Sequence, residues 1–147
     1  MKTKKLLLIV DDNKEESFLL QEAIKDTKIN FDMKFLEDGQ QVIDYFYDKD
    51  HVSVKPNLPD LIILDLNLPK KHGFEVLEQL KSDKSIYKSI PVIIFSSSEA
   101  PSDIRRCYEL HCNAYISKPI NFDEMVSIVQ NISSFWFENA TLHNDIV

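Results

Sequence analysis

Short apolar runs alternate with segments of helical periodicity along the chain. The runs at 61–64 and 92–95 are continuously apolar and end at a polar residue, which is typical of strands that are covered on both faces in a parallel sheet. Five segments predict strands at residues 6–10, 31–36, 61–64, 92–95 and 114–117. Residues 51–59 contain two prolines and no clean periodicity, and we expect a loop there.

Apolar residues recur at intervals of three or four positions after each predicted strand, as in amphipathic helices. Asp12 is followed three residues later by Glu15, which predicts a capping box at the start of the first helix. The predicted apolar face of this helix contains Phe18, Leu20, Ala23 and Ile24. The last helix has the most regular pattern, with Met125, Ile128, Val129, Ile132, Phe135 and Trp136.

Five strands that alternate with five helices predict an α/β protein with a parallel sheet. Right-handed crossovers leave few topologies for this number of elements. We therefore expect a doubly wound, flavodoxin-like (βα)5 fold with strand order 2-1-3-4-5. In such sheets, ligands bind beyond the carboxyl ends of the strands.

Composition narrows the class of protein. The chain has 147 residues, a formal net charge of −7, 44% hydrophobic and 28% charged residues, which indicates one folded domain. The acidic balance argues against a nucleic-acid partner and against a polybasic membrane anchor. No apolar stretch reaches membrane-spanning length, and Cys107 and Cys112 are expected to be reduced packing thiols, so we expect a cytoplasmic protein.

Polar side chains follow the predicted strands where each strand ends. Asp11 and Asp12 follow the first strand, Asp65 the third, Ser96 the fourth and Lys118 the fifth. Aspartate and serine are common helix caps, which could explain Asp12 and Ser96 without any function. Capping explains Asp65 poorly, because the next helix is predicted to begin several residues later, and it does not explain Lys118.

The predicted topology brings these acids together at one edge of the sheet. Carboxylates that lie close together repel one another unless a cation is present. Mg²⁺ is bound by one or two carboxylates together with waters and a phosphate oxygen. Asp65 could act as a nucleophile that forms an acyl phosphate, with Lys118 neutralising the developing charge.

The motifs resemble those of the response-regulator receiver domains of two-component signalling. They are the Asp11-Asp12 pair, Asp65 followed by Pro69 and Gly73, Ser96 after Pro91, and Lys118-Pro119. The resemblance implies a protein that accepts a phosphoryl group from a histidine kinase and then changes its protein-binding surface. It implies a signalling protein rather than an enzyme, one that assists its own phosphotransfer and autodephosphorylation.

The resemblance implies a role for each matched residue. Asp65 corresponds to the phosphoacceptor, Asp12 to the direct Mg²⁺ ligand, and Asp11 to the acid that holds the metal mainly through water. Asn67 lies where the family donates a backbone carbonyl to the metal. Asn67 and Ser98 also lie where the family tunes dephosphorylation.

Four further residues match the family's switch and phosphoryl-binding positions. Ser96 corresponds to the switch hydroxyl, and Lys118 to the lysine that contacts the phosphoryl oxygens. Tyr115 corresponds to the switch aromatic, although an ordinary strand aromatic would fit the pattern as well. Family members usually have a cis peptide bond before the proline that is Pro119 here.

Two segments are similar to stand-alone receivers that are paired with bacterial phytochrome histidine kinases, namely residues 65–73 and 134–142. The resemblance implies a receiver domain at 1–136 and a C-terminal extension at 137–147 that contributes to a homodimer. Phe135, Trp136 and Phe137 are consecutive aromatics, and we expect at least one to face a partner. The alternative is that the tail folds back over its own domain. With no output domain expected, output would go through another protein or through self-association.

Two other functions share parts of this pattern. A phosphohydrolase of the haloacid dehalogenase type needs a second aspartate two residues after its nucleophile, and Asn67 occupies that position. A flavodoxin-like nucleotide-binding module needs a glycine-rich phosphate loop, and the only glycines are Gly39 and Gly73.

Overall fold

The computed structural model describes residues 4–47 and 58–146. The strands are β1 (Lys5–Val10), β2 (Phe31–Leu36), β3 (Leu61–Leu64), β4 (Val92–Ser96) and β5 (Ala114–Ser117). The helices are α1 (Lys14–Lys25), α2 (Gly39–Tyr47), α3 (Gly73–Lys81), α4 (Pro101–Glu109) and α5 (Phe122–Ser133). A π-helical turn, Ser134–Asn139, continues α5, and a 3-10 turn follows at His143–Asp145. Most of the loop predicted for 51–59 lies outside the described residues.

The strands form one parallel sheet in the order β2-β1-β3-β4-β5, which confirms the predicted fold class and topology. Val10 pairs with Leu64 across β1 and β3, and Ser96 pairs with Ser117 across β4 and β5. The residues that follow these strands therefore begin side by side at the carboxyl edge of the sheet.

The core has two layers, one on each face of the sheet. Successive strand residues point to opposite faces. Leu8, Val10, Ile62, Leu64 and Ile94 face one layer, which is completed by α2, α3 and α4. The opposite strand positions pack with α1 and α5 in the second layer; they include Leu7, Ile9, Leu61, Ile63, Ile93 and Phe95. All four residues of β3 are buried, as the predicted parallel strand requires.

The first helix begins one residue later than the sequence predicts. The cap is Asn13, whose side chain accepts hydrogen bonds from the amides of Glu15 at 3.0 Å and Glu16 at 3.1 Å. The predicted capping box with Asp12 is therefore wrong. Asp11 Oδ1 accepts from the amide of Asn13 at 2.9 Å, and this contact turns the chain before the helix starts. Asparagine and aspartate cap equally well, so the turn decides between them.

The predicted apolar face of α1 is only partly correct. Leu20, Ala23 and Ile24 are buried, whereas Phe18 is 59% exposed. Both cysteines are buried, unpaired thiols within one hydrophobic cluster, as predicted. Burial raises the pKa of Cys107 to about 12, which keeps its thiol protonated and unreactive.

The chain after α5 packs back onto the domain. Phe137 lies with its ring centroid 4.8 Å from that of Phe31, and Trp136 packs on the same cluster, whereas Phe135 is 54% exposed. Asn144 Nδ2 donates to the carbonyl of Pro59 at 3.0 Å. Two of the three consecutive aromatics therefore contact their own domain, and Phe135 is the one left on the surface. Among the helices that the structure describes, none combines the length and apolarity that crossing a bilayer requires.

Candidate functional site

Three strand ends place three charged side chains at one edge of the sheet. Asp11 directly follows β1, Asp65 directly follows β3, and Lys118 directly follows β5. Backbone hydrogen bonds continue the ladder through these positions. The amide of Asp65 donates to the carbonyl of Val10 at 3.0 Å, and that of Lys118 to the carbonyl of Ser96 at 2.9 Å. The positions of these side chains are therefore fixed by the sheet itself.

The ammonium group of Lys118 lies at the centre of the site. Its Nζ is 3.1 Å from Asp11 Oδ2 and 3.0 Å from Asp65 Oδ2, and it also contacts Glu16 Oε2. Only 8% of the Lys118 side chain is exposed. These distances confirm the predicted convergence of Asp11, Asp65 and Lys118.

Glu16 is a member of the site that the sequence analysis missed. With Asn13 as the cap, Glu16 is the third residue of α1, so its side chain points back toward the strand ends. The predicted cap at Asp12 would have shifted this register by one position. An acid in the first turn of a helix is common because it interacts favourably with the helix dipole. Its presence in the sequence therefore does not indicate a contact with Lys118.

The aspartates are held by the backbone as well as by lysine. Asp65 Oδ1 accepts from the amide of Leu66 at 2.7 Å, and Asp11 Oδ1 from the amide of Asn13 at 2.9 Å. Each aspartate thus uses one oxygen for the backbone and the other for Lys118. This arrangement fixes the direction in which Asp65 Oδ2 points.

The donor set fits a hard divalent cation. Asp11, Glu16 and Asp65 each offer a carboxylate oxygen, and these oxygens lie within 4.8 Å of one another. Oxygen ligands of this kind are those that Mg²⁺ and Mn²⁺ prefer. Asp12 is exposed and lies outside this group of acids, and Asn67 is also exposed.

The electrostatics of the group show an excess of negative charge. Burial raises the pKa of Asp11 to about 6, although a hydrogen bond from the backbone of Asn13 opposes the shift. Burial alone would also raise the pKa of Glu16, but hydrogen bonds with Lys118 and Asp11 outweigh it and lower that pKa. Burial disfavours the Lys118 ammonium, yet its contacts with Glu16, Asp65 and Asp11 together raise its pKa. One ammonium is thus shared by three acids, and a cation would relieve the remaining repulsion.

A second group of hydrogen bonds links β4, β5 and α4 beside the acids. Ser96 is fully buried, and its Oγ accepts from the amide of Ser98 at 3.2 Å. Ser98 Oγ donates to Asp103 Oδ2 of α4 at 2.6 Å, and the Tyr115 hydroxyl donates to the carbonyl of Ser98 at 2.7 Å. The half-buried Tyr115 therefore joins β5 to the loop that follows Ser96.

Gly73 brings α3 close to the strand that carries Asp65. A Cβ atom at Gly73 would lie 2.4 Å from the carbonyl oxygen of Asp65 and 2.6 Å from the Cα of Leu66. The amide of Gly73 donates to the carbonyl of Leu66 at 2.8 Å. The absence of a side chain here allows the loop between β3 and α3 to close tightly.

The peptide bond before Pro119 differs from the expectation. No peptide bond among the described residues is cis, so the predicted cis bond is wrong for this structure. The trans form is favoured by about 0.5–1 kcal/mol for bonds to proline unless the surroundings select cis. Lys118 reaches Asp11 and Asp65 with the trans bond in place.

Comparisons with known proteins agree with this geometry. Residues 7–130 match the response regulator receiver domain family. Response regulator Rcp1 of Synechocystis sp. is 39% identical over 138 residues, which cover 94% of this chain and 92% of Rcp1. The phosphorylated cyanobacterial phytochrome response regulator RcpA has a TM-score of 0.85 at 38% identity, over 96% of this chain and 99% of that chain. The Mn²⁺-bound form of Rcp1 has a TM-score of 0.84 at 39% identity, over 94% of this chain and 98% of that chain.

Proposed function

Because the chain belongs to the response-regulator receiver family, whose members accept phosphoryl groups from histidine kinases, we propose that Asp65 is its phosphoacceptor. The observation that carries this proposal is the contact of 3.0 Å between Asp65 Oδ2 and Lys118 Nζ inside a cluster of acids. Asp65 is the acid that follows the central strand β3, and the oxygen that no backbone amide contacts points toward the ammonium group.

The chemistry follows from this orientation. Asp65 Oδ2 attacks the phosphorus atom of a phosphohistidine, an O–P bond forms, and the P–N bond to the histidine breaks. Phosphoryl transfer depends mainly on positioning and on neutralising the charge of the phosphoryl oxygens. Leu66 holds the other carboxylate oxygen through its amide, and Lys118 supplies a fixed positive charge.

We propose Mg²⁺ as the cation of the site, with Asp12 and Asp65 as direct carboxylate ligands, Asp11 holding the ion mainly through water, and the backbone carbonyl of Asn67 as a further ligand. Asp11 and Asp65 support a divalent ion here, since both belong to the group of acids whose carboxylate oxygens lie within 4.8 Å of one another. The Mn²⁺-bound form of Rcp1 supports a divalent metal in a similar protein. When bound, the ion supplies positive charge for the phosphoryl oxygens.

We further propose that Ser96 and Tyr115 transmit phosphorylation to the surface formed by α4, β5 and α5. Phosphorylation adds a net charge of about −1.5 to −2, and the phosphoryl oxygens can accept a hydrogen bond from a nearby hydroxyl. The Ser96 hydroxyl accepts a hydrogen bond from the amide of Ser98, and the Tyr115 hydroxyl donates one to the carbonyl of Ser98. The Ser98 hydroxyl in turn donates to Asp103 of α4. A movement of Ser96 would therefore disturb bonds that tie this surface together. A downstream protein would read the change, and Asn67 and Ser98 would tune the rate of dephosphorylation.

The similarity to RcpA supports a phytochrome-type histidine kinase as the phosphoryl donor in the cytoplasm. The exposed Phe135 supports a homodimer that forms through the end of α5 and the residues after it.

The family match does not favour the phosphohydrolase or the nucleotide-binding module. Asn67 also stands where the phosphohydrolase needs a carboxylic acid.

Acetyl phosphate with Mg²⁺ tests the proposal without a kinase. We expect the intact mass to increase by one phosphoryl group in the wild-type protein, and no increase in Asp65→Asn. Omission of Mg²⁺ should abolish the increase. An equal mass increase in Asp65→Asn would contradict the assignment of Asp65.

A further inference from the structure

The Lys118 ammonium has all of its donors committed to carboxylates. An ammonium group has three N–H donors. Asp11 Oδ2 and Asp65 Oδ2 lie 3.1 and 3.0 Å from Nζ, and Glu16 Oε2 makes the third contact. The O–P bond forms at Asp65 Oδ2, so this oxygen ceases to be a carboxylate partner and the phosphoryl oxygens lie beyond it. Lys118 must then redirect its donors toward the phosphoryl oxygens while Asp11 and Glu16 still hold the other two.

Of the two partners that remain carboxylates, Glu16 can leave more readily than Asp11. The Asp11 and Asp65 side chains are 3% and 9% exposed, and backbone amides hold both. The Glu16 side chain is 35% exposed and extends from α1 rather than from a strand end. Among the described residues, no backbone amide donates to its carboxylate, so only side-chain contacts hold it in place.

We propose that Glu16 is a positioning residue that holds the Lys118 ammonium in the unphosphorylated protein and releases it when phosphoryl oxygens arrive. The inference rests on the proposed role of Asp65 and extends it to a residue outside the motifs of the receiver family. Glu16 competes with the phosphoryl group for one donor of Lys118. It also adds a negative charge that repels the incoming anion. Glu16 therefore opposes the phosphorylated state. The strength of its contact with Lys118 sets how readily that state forms.

The test is the substitution Glu16→Gln, with Glu15→Gln as the matched control. Glu15 is the neighbouring acid on α1; it is exposed, and its side chain makes no contact with Lys118 in the described structure. Both variants remove one negative charge from the same helical turn. The glutamine oxygen can still accept from Lys118, but a neutral acceptor forms a bond about half as strong as a charged one.

Binding of beryllofluoride, which mimics the phosphoryl group, is measured at saturating Mg²⁺. We expect Glu16→Gln to bind roughly fivefold more tightly than wild type, because its competing bond is weakened. Glu15→Gln should stay within about twofold of wild type, since an exposed charge is screened. In the acetyl phosphate reaction, Glu16→Gln should lower the concentration for half-maximal rate more than it changes the maximal rate. A purely structural role of Glu16 would not lower the half-maximal concentration more than it changes the maximal rate.

The outcomes separate the inference from the proposed function. Equal affinity in Glu16→Gln and Glu15→Gln, or weaker binding in Glu16→Gln at saturating Mg²⁺, would overturn the role of Glu16 while leaving Asp65 in place. If wild-type protein gains no phosphoryl group on Asp65, both are overturned. Thermal unfolding checks that the variants are folded, and Glu16→Ala carries the same expectation should the glutamine variant not fold.

Discussion

At the scale of single residues, the site is an arrangement of opposed charges that the fold holds in place. Three acids share one ammonium, and two of the acids are almost fully buried. A buried ion pair gains little net stability, because desolvation offsets much of the attraction. The site is therefore a local cost to the fold, which a bound cation can relieve.

The raised pKa of Asp11 predicts how stability depends on pH without metal. Its pKa is about 6 in the folded protein against an ordinary value of 3.8, so the folded state binds this proton more tightly than the unfolded state. The Asp11 contribution to the free energy of unfolding is therefore greatest below the lower value and is lost as pH rises between about 4 and about 6. Asp11→Asn should lack this loss.

Urea unfolding of both proteins in a chelator checks this sign. As pH rises from about 4 to about 6, the free energy of unfolding of the wild-type protein should fall relative to that of Asp11→Asn. The lowered pKa of Glu16 contributes in the opposite direction at more acidic pH, and its hydrogen bond with Lys118 is present in both proteins. A difference that stays constant with pH would show that burial of Asp11 carries no such cost.

At the scale of elements, β1, β3 and β4 could be predicted because each contains an apolar run that ends at or before a polar residue, whereas β2 alternates apolar with polar residues. β2, β3 and β5 have the predicted bounds, and the convergence of Asp11, Asp65 and Lys118 follows from the strand order. Glu16 could not be found in this way, because it contacts a residue 102 positions away. That contact depends on where α1 lies beside the end of β5. The cap at Asn13 was missed because a side-chain contact from Asp11 selects it.

The close approach of α3 to β3 predicts a strong effect of Gly73→Ala. The added Cβ would lie 2.4 Å from the carbonyl oxygen of Asp65, so the loop after β3 would have to shift. We expect a loss of about 1–3 kcal/mol in the free energy of unfolding, as for other overpacked sites. The rate of phosphorylation by acetyl phosphate should also fall, since the same backbone carries Asp65.

Glu78→Ala serves as the control for Gly73→Ala, since Glu78 is exposed on the same helix. It should leave both stability and phosphorylation rate near the wild-type values. Wild-type behaviour in Gly73→Ala would mean that the loop adapts at no cost, and that tight closure is unnecessary for the site.

At the scale of the whole molecule, the two ends of the sheet differ in character. The carboxyl edge holds the acids and Lys118, whereas the residues after α5 pack toward β1 and the start of β3. Lys5 of β1 forms an ion pair with Asp145, and Leu142 is 4% exposed. These contacts leave Phe135 as an exposed aromatic at the end of α5.

Phe135→Ser tests the proposed homodimer. Phe135 is 54% exposed and its ring has only an edge contact with Trp136 among the ring pairs of the described residues, so this substitution should lower self-association while lowering the free energy of unfolding of the monomer less than Phe137→Ser does. Phe137→Ser is the contrasting variant: its ring lies 4.8 Å from that of Phe31, and we expect it to reduce stability. Light scattering over a range of protein concentrations measures the first effect, and chemical unfolding the second. Unchanged association in Phe135→Ser would place any dimer contact elsewhere.

The central claim is that Asp65, oriented by Leu66 and Lys118, receives the phosphoryl group. Its most direct test is to treat the protein with acetyl phosphate and Mg²⁺, reduce the product with borohydride, and locate the modified residue by peptide mass spectrometry. Reduction converts an aspartyl phosphate to homoserine, so the account predicts homoserine at position 65 and unchanged aspartate at positions 11 and 12. Homoserine at another aspartate, with position 65 unmodified, would contradict it.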